Sequence, residues 1–411
     1  MLLLLLCSFL AILVAPRHSS SHEPVTTKVM FNREIVRIFQ RHCLVCHQSG
    51  NITNISLATY PQARPWAKAF KEEVLEKRMP PYQAVKGFGH FRNDYSMTQH
   101  EIDQIVSWVE GGAPKGDDND LPKLASGPDD WPLGRPDLIL ETKTEANISS
   151  SSTGRAPEYR CVVLPTNFKG ARWLTAIDFR QGSGAVHCAS FRIESPRPSA
   201  NSSGCGAQSG SKDQALGLLG TWMPGQTLSA LPKNVARLLP AGSRIGLRIH
   251  YQKGSEAVLS QSSLGLYLAS GLGMNGGMKP LHTVTLAAAA QDIPPGPDLY
   301  RVKLSHRMRE AAEAITIRPL LFPLAKSVEV TARRPDGSVE VLVWARDYRY
   351  DWQPEYDFKK PVSLPAGTAI EVTAYLDNSD SNPNNPNRPA RAIRFDAGLC
   401  ELSFVKASRG Q

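Results

Sequence analysis

Five consecutive residues, Cys43-Leu44-Val45-Cys46-His47, carry the clearest chemical signal in this sequence. The spacing C-x-x-C-H is the attachment signature of a c-type haem, in which both thiols bond to haem vinyl groups and the histidine binds iron. Three alternatives remain open: a chance C-x-x-C beside a histidine, a redox disulfide, or half of a zinc site. The chain has no second C-x-x-C, which disfavours the common zinc ribbon. The motif therefore predicts haem c bound covalently by Cys43 and Cys46, with His47 as an axial iron ligand.

Three amphipathic helices are predicted around this motif. The first ends at the motif itself, so haem attachment falls at its C-terminus. The second runs to about Lys77 and stops before Met79-Pro80-Pro81, because proline cannot continue a helix. The third begins with a capping box from Thr98 to Glu101. Their apolar residues at helical spacing are Phe31, Ile35, Ile38 and Phe39, then Trp66, Phe70 and Val74, and finally Ile102, Ile105, Val106 and Val109.

Residues 27–117 therefore resemble a small class I cytochrome c domain. Such domains supply a methionine sulfur as the second axial ligand from a loop well after the C-x-x-C-H, and this implies Met79 here. A methionine ligand raises the reduction potential relative to two histidines. Met97 and His90 are the alternative ligands, and Met79 acting only as core filler is the other possibility, since most methionines do.

The N-terminal residues 1–22 are predicted to be a signal peptide. Leu2 to Ala15 is a nearly continuous apolar run, too short for a comfortable membrane span. A short uncleaved membrane anchor is the alternative. Export agrees with haem attachment, which takes place on the outer side of the bacterial plasma membrane, so we expect a periplasmic or otherwise exported protein.

The chain is basic, with a formal net charge of +9 over 411 residues. This excess favours an acidic redox partner protein or an anionic membrane surface, although a generally basic surface without a specific partner explains it equally well. No basic run interleaved with aromatic residues is present, so nucleic acid is not an expected partner. The sequence carries no signal for an oligomeric state.

A polar linker at residues 118–131 separates the helical part from a region of short strands bounded by Gly and Pro turns. Arg334 to Ser338 is a turn sequence between two of these strands and predicts a hairpin. The length suggests two antiparallel sandwiches, at residues 132–275 and 280–411. The expected fold is therefore multidomain: a small all-α cytochrome c domain followed by two tandem antiparallel β-sandwiches of jelly-roll type.

The region after residue 132 resembles the copper type II, ascorbate-dependent monooxygenases, which include peptidylglycine hydroxylating and dopamine β-monooxygenases. It is more similar still to exported bacterial proteins that fuse haem c to that module. The matching stretches are Trp222-Met223-Pro224-Gly225, Arg248-Ile249-His250-Tyr251-Gln252, Asp351-Trp352-Gln353-Pro354, Leu364-Pro365-Ala366-Gly367-Thr368, Asp377-Asn378-Ser379 and Asn382-Pro383-Asn384-Asn385-Pro386-Asn387. These stretches are scaffold features rather than catalytic ones.

The resemblance implies two copper sites, and this sequence departs from both. At the first, the family's His-His pair aligns with His187-Cys188, and its third histidine with His250. At the second, the family's two histidines correspond to Leu320 and Phe322, and its methionine after a glutamate to Leu402. A site without imidazole or thioether ligands does not hold copper usefully. We therefore expect the family's hydroxylation to be lost.

His187, Cys188 and His250 still form a possible set for one copper ion, since two imidazoles and a thiolate are a recognised copper ligand set. Alternatively they are remnants, with Cys188 in a disulfide to Cys205. Three functions remain open: an electron-transfer cytochrome whose sandwiches are a docking or binding scaffold, a haem-fed copper oxidoreductase acting on paired donors with oxygen incorporation, and a carbohydrate- or peptide-binding module with a tethered haem sensor.

Overall fold

The computed structural model describes residues 26–48, 53, 55–122, 131, 133–142, 159–182, 186–194, 217–224, 230–251, 261–269, 277–320, 323–348, 352–395 and 398–407. The predicted signal peptide, Cys205, Phe322 and most of the predicted linker lie outside these residues. Within them the protein is mostly β, with five sheets and a small helical N-terminal part.

The helical part builds its own apolar core. Four α-helices are described: α1 Val36–His42, α2 Tyr60–Ala63, α3 Ala67–Leu75 and α4 Gln99–Glu110. A π-helical turn, Phe31–Ile35, leads directly into α1. The rings of Phe31, Phe39 and Trp108 pack at the centre, with Phe39 also 4.8 Å from Phe70 between centroids. Trp66, expected on the apolar face of the second helix, instead precedes α3 and is 46% exposed.

The start of α4 is tied to the end of α1. Thr98 accepts a hydrogen bond from the Glu101 backbone, while the Glu101 carboxylate accepts one from the Thr98 backbone, which confirms the capping box. Glu101 is 5% exposed, and it also meets Nε2 of His42 at 3.1 Å and the Arg41 guanidinium at 3.0 Å. This carboxylate therefore helps to orient the last residues of α1, directly before the C-x-x-C-H motif.

Two sheets share one apolar core in the first β-rich unit. One sheet has the order β1-β8-β3-β6-β9, and the other has the order β2-β7-β4-β5. The pairs in both sheets are antiparallel except β6 with β9. The strands are β1 Leu138–Glu141, β2 Tyr159–Pro165, β3 Arg172–Arg180, β4 Val186–Glu194, β5 Gly217–Trp222, β6 Val235–Leu239, β7 Arg244–Tyr251, β8 Ser263–Leu268 and β9 Lys279–Pro280.

A second sandwich-like unit has the sheets β10-β19-β13-β16 and β12-β17-β14-β15, with a small β11-β18 pair. Their inward side chains form the largest apolar cluster in the described residues. The hairpin expected around Arg334–Ser338 is confirmed, since it joins β14 to β15. The strands are β10 His282–Ala287, β11 Gln291–Ile293, β12 Tyr300–Arg307, β13 Ala312–Pro319, β14 Ala325–Arg333, β15 Val339–Ala345, β16 Tyr356–Leu364, β17 Ala369–Leu376, β18 Ile393–Phe395 and β19 Gly398–Lys406.

The segment at residues 80–97, between α3 and α4, is built into the second sandwich. Its backbone bonds at two places to that unit, Val85 N to Trp344 O at 2.7 Å and Arg92 N to Asp357 O at 2.8 Å. Ala84 and Phe91 are buried in the sandwich core itself. The helical part is therefore fixed to the second sandwich, although sequence alone suggested a separate domain on a linker.

Side-chain amides strengthen this attachment. Asn93 donates to the carbonyl of Glu355 at 2.7 Å and accepts from the backbone N–H of Asp357 at 3.0 Å. Gln83 donates to the carbonyl of Trp352 at 3.1 Å, and this contact is buried. Each amide satisfies backbone groups that the ends of the sheet would otherwise leave open.

Candidate functional site

The loop of residues 43–47 begins where α1 ends. Cys43 N–H continues the helical pattern to Phe39 O at 2.8 Å, and His47 N–H bonds back to Cys43 O at 2.8 Å. Cys43 is 7% exposed and belongs to the helical core, whereas Cys46 is half-buried. Burial raises the pKa of the Cys43 thiol well above its ordinary value and that of Cys46 to about 11. Both side chains are free thiols.

One ring nitrogen of His47, Nδ1, lies within hydrogen-bond distance of two oxygen atoms. Its Nδ1 lies 3.1 Å from the carbonyl oxygen of Ile55 and 3.2 Å from Oγ1 of Thr53. A carbonyl only accepts, so Nδ1 carries the proton and Nε2 carries the lone pair. Burial lowers the pKa of His47, against the opposing effect of the Ile55 hydrogen bond, and this favours the neutral imidazole. Neutral imidazole with Nδ1–H bound to a carbonyl is the usual state of a metal-ligating histidine.

The three candidates for the second axial ligand occupy different environments. Met79 is half-buried at the start of the segment that docks on the second sandwich. Met97 is 8% exposed and packs within the helical core. His90 is exposed, and its carbonyl accepts from Lys359 N at 2.7 Å. Met79 as the axial ligand stays a prediction, because none of these contacts places a sulfur opposite His47.

The loop also touches both sandwiches. Cys46 and Cys188 pack against Met223 and Trp352, which are 2% and 4% exposed. The Cys46 thiol also points to the carbonyl of Pro224, with 3.9 Å between Sγ and oxygen. We call Cys46, Cys188, Met223 and Trp352 the junction cluster, since it joins the helical part, the first sandwich and the second. The sequence marked Met223 and Trp352 only as scaffold and gave no sign that they meet the haem motif.

The three predicted copper ligands lie at one end of the β4–β7 pair. Cys188 is the direct cross-strand partner of His250, and a bulge places His187 as the extra residue beside them. The ring of His187 stands edge-on to Trp352, 6.2 Å between centroids. Burial, with smaller contributions from Arg248 and His187, lowers the pKa of His250 to about 4.

Metal binding at this end of the sheet stays a prediction. Within the residues that the structure describes, no three His, Cys, Asp or Glu side chains converge closely enough to form a metal site. Cys205 lies outside those residues, so its predicted disulfide with Cys188 also stays a prediction.

Two of the residues that the monooxygenase resemblance assigns to a second copper site, Leu320 and Leu402, lie within the described residues. Leu402 on β19 is fully buried in the core of the second sandwich. Glu401 beside it pairs with Arg318 on the neighbouring strand at 2.7 Å, and the two side chains are 9% and 7% exposed. Leu320 follows β13 and bonds through its N–H to Leu399 O at 2.9 Å.

A small cavity of about 60 Å³ lies between the two sandwiches. Its polar lining comes from Arg237, Thr316, Glu355 and Asp357, and the remaining lining is mostly apolar side chains of the first sandwich. Burial lowers the pKa of Arg237, and the nearby charges of Glu355 and Glu401 oppose this. One water needs roughly 10–15 Å³ on this scale, so the cavity has room for a few waters rather than a large ligand.

The donor set of the 43–47 loop suits the haem that the cytochrome resemblance implies. Two thiols follow the end of a helix, and a neutral imidazole has Nδ1 tied to a carbonyl. Imidazole is a common axial ligand of haem iron, and the two thiols have the spacing of haem attachment. Cys43, Cys46 and His47 therefore fit the group by their chemistry.

Comparison with known proteins adds no identification. No protein-family model and no curated protein matches the sequence. Among solved structures, the chain is similar to infectious bursal disease virus Gx strain at 7% identity, covering 60% of this chain and 61% of that chain, with a TM-score of 0.20. PNGF-II has 8% identity to this chain, with 67% of this chain and 65% of that chain covered and a TM-score of 0.25. A two-domain protein of unknown function from Bacteroides fragilis has 9% identity to this chain, with 60% of this chain and 85% of that chain covered and a TM-score of 0.18. These TM-scores are too low to support any argument.

Among the described residues, no helix has both the length and the apolar character needed to cross a membrane.

Proposed function

We propose that this protein is an exported c-type cytochrome that carries out electron transfer. Cys43 and Cys46 would hold the haem covalently, and His47 would bind the iron through Nε2. The observation that carries the proposal is the pairing of His47 Nδ1 with the Ile55 carbonyl beside two free thiols. Bound there, the haem would supply a one-electron redox centre.

The residues of the chain have separate tasks in this proposal. The Ile55 carbonyl fixes the tautomer and ring orientation of His47. Glu101 holds His42, which anchors the end of α1 next to the attachment loop. The helical core around Phe39 and Trp108 would exclude water from Cys43, which packs within that core. Met79 remains the proposed second ligand, with the higher potential that a thioether confers.

The two sandwiches act in this proposal as a fixed scaffold for the haem domain. The backbone contacts of Val85 and Arg92 to the second sandwich support this role, because they tie the helical part down. The same contacts speak against a freely tethered haem sensor. An acidic redox protein is the proposed partner, given the net charge of +9, and an anionic membrane surface is the alternative.

Maturation of the protein tests this function. Expression in a host able to attach haem c should give a covalent haem that survives denaturation, with one iron per chain and no copper. The Cys43→Ala/Cys46→Ala double variant should carry no covalent haem, while Cys400→Ala, which removes a buried thiol far along the chain, should keep it. A wild-type protein without covalent haem would reject the proposal.

A haem-fed copper oxidoreductase acting on paired donors is the second candidate. One observation favours it: Cys188 faces His250 across the sheet, and His187 contacts the tryptophan that packs beside the haem motif. The leucine at position 402 speaks against it, because the resemblance implies a methionine ligand at that position. Stoichiometric copper together with reductant-dependent oxygen consumption would make it the leading function.

A further inference from the structure

The junction cluster places two buried side chains of the sandwiches against the haem-attachment cysteine. Met223 directly follows β5 of the first sandwich, and Trp352 lies shortly before β16 of the second. Both are almost fully buried, at 2% and 4% exposure. Cys46 packs on this pair, whereas Cys43 packs within the helical core. The two thiols of the motif therefore face different parts of the protein.

Several neighbouring contacts hold Trp352 in this position. Its carbonyl accepts a buried hydrogen bond from Gln83, at 3.1 Å. The His187 ring stands edge-on to the indole at 6.2 Å. Tyr95, of the docked segment, lies close to both Trp352 and Cys46, and its burial raises the pKa of its hydroxyl to about 12. Trp352 is thus fixed from three sides, next to the haem motif.

We propose that Met223 and Trp352 form an apolar wall that covers the Cys46 edge of the haem and raises its reduction potential. This rests on the proposed function, because it requires haem at Cys46. Loss of one electron from Fe(II) gives Fe(III) and adds one positive charge to the haem. Water stabilises that charge better than an apolar wall does. Covering the edge therefore favours the reduced state, and both residues act as positioning residues that shape the surroundings of the haem.

The wall also gives the sandwiches a defined task. A scaffold that only held the haem domain would need the contacts of residues 80–97, but not a tryptophan against the attachment cysteine. Trp352 contacts His187 and packs with Cys188. The same side chain therefore packs against both Cys46 and the end of the β4–β7 pair.

Redox titration of the haem-loaded full-length protein tests the wall. Trp352→Ala should shift the ratio of oxidised to reduced haem about tenfold toward the oxidised form at a fixed applied potential, which is about 59 mV for one electron. Trp352→Phe should restore most of the wild-type potential, since it keeps an apolar ring. Met223→Ala should move the potential in the same direction as Trp352→Ala, and it carries the test if Trp352→Ala does not fold.

Trp344→Ala is the matched control. Trp344 belongs to the same sandwich, packs on Phe88 of the docked segment at 5.0 Å between ring centroids, and is not a member of the junction cluster. Its removal should leave the potential unchanged while lowering the stability. Equal potentials in wild type and Trp352→Ala would overturn the wall, and so would an equal shift in Trp344→Ala, which would indicate only general loosening.

A measurement on the haem-free protein separates this inference from the proposed function. Alkylation of Cys46, followed by peptide mass spectrometry, should speed up about tenfold in Trp352→Ala and remain unchanged in Trp344→Ala. Failure of wild-type protein to take up haem would reject the proposed function, and the inferred effect on potential with it. No increase in Cys46 labelling would overturn the covering contact even if haem is present.

Discussion

Nε2 of His42 lies 3.1 Å from Oε1 of Glu101, so the residue before the haem motif is held by the first turn of α4. Burial by itself raises the pKa of Glu101, but hydrogen bonds from Thr98 and His42 outweigh it and leave the pKa below its ordinary value. One carboxylate thus caps a helix and links it to the end of another. This link holds the end of α1, directly before the loop of residues 43–47.

Replacing Glu101 with alanine should lower the free energy of unfolding by about 2 kcal/mol, because a cap and a buried charged hydrogen bond are lost together. Urea denaturation of the full chain measures this. Glu110→Ala is the control, since this carboxylate lies on the same helix but is exposed and pairs only with Lys71 among its described contacts. A loss in Glu110→Ala as large as in Glu101→Ala would contradict the special role of Glu101.

Met79→Ala should change the absorption spectrum, whereas Met97→Ala should change the stability. Met79→Ala should abolish the weak band near the red end of the oxidised spectrum, because that band reports the methionine–iron bond. Met97→Ala should keep the band but lower the free energy of unfolding by about 2–5 kcal/mol, because it opens a cavity in the helical core. Absorption spectra and urea denaturation of both variants decide. An unchanged band in Met79→Ala would assign the ligand to another residue.

Asn93→Ala should loosen the helical part from the second sandwich. The variant removes two hydrogen bonds that reach the backbone of Glu355 and Asp357, so the free energy of unfolding should fall by about 2 kcal/mol. Hydrogen exchange should accelerate across residues 80–97. Asn119→Ala, at an exposed position, is the control and should leave the exchange of that segment unchanged. Equal exchange in both variants would show that Asn93 is dispensable for docking.

The buried Arg318–Glu401 pair gives a test of how the second sandwich tolerates charge. Arg318→Met should destabilise by about 3–5 kcal/mol, because Glu401 is left buried without its partner. Adding Glu401→Leu should recover most of that loss. The exposed pair of Arg333 and Glu371 is the control, and Arg333→Met should cost less than about 1 kcal/mol. Thermal denaturation of the three variants measures these losses. A double variant as unstable as Arg318→Met would contradict the expected recovery.

The free energy of unfolding should fall at acid pH, because the Asp377 carboxylate becomes protonated. Its burial raises the pKa, but hydrogen bonds from Ser379 and the ion pair with Lys326 at 3.2 Å outweigh this and lower it below the ordinary value. As the pH falls, the unfolded chain therefore takes up the proton before the folded chain does. The contribution of Asp377 to the free energy of unfolding is complete above its unfolded pKa of about 3.9. It is lost as the pH falls through the lower, folded value.

The difference in unfolding free energy between wild type and Asp377→Asn measures this contribution. It should be constant from neutral pH to about pH 5 and should shrink at more acid pH. Asp292→Asn removes an exposed carboxylate and is the control. A difference that stays constant down to pH 2 would contradict the assignment.

Local patterns in the sequence predicted the capped helix and one hairpin. The turn at Arg334 to Ser338 is set by neighbours in sequence, and the structure has the β14–β15 hairpin there. Such features need only local geometry, so a single sequence is enough. Haem attachment at the C-x-x-C-H motif stays a prediction.

The junction cluster could not be predicted in this way. Cys46, Met223 and Trp352 are far apart in sequence, and periodicity carries no information about which loops of different units meet. The same limit applies to residues 80–97, whose proline and aromatic residues look like an ordinary connecting loop. Trp66 shows a related error, because its spacing with Phe70 suggested a buried face where the chain has not yet entered α3.

The docked segment at residues 80–97 has a consequence for the order in which the protein matures. Gln83 bonds to Trp352, a partner 269 positions later in the chain. Chains are synthesised from the N-terminus, so the helical part is made long before the strands that complete its packing. Cys46 therefore lacks its packing against Trp352 until the second sandwich has formed. In the proposed function, that interval would leave the Cys46 thiol accessible for haem attachment before Trp352 covers it.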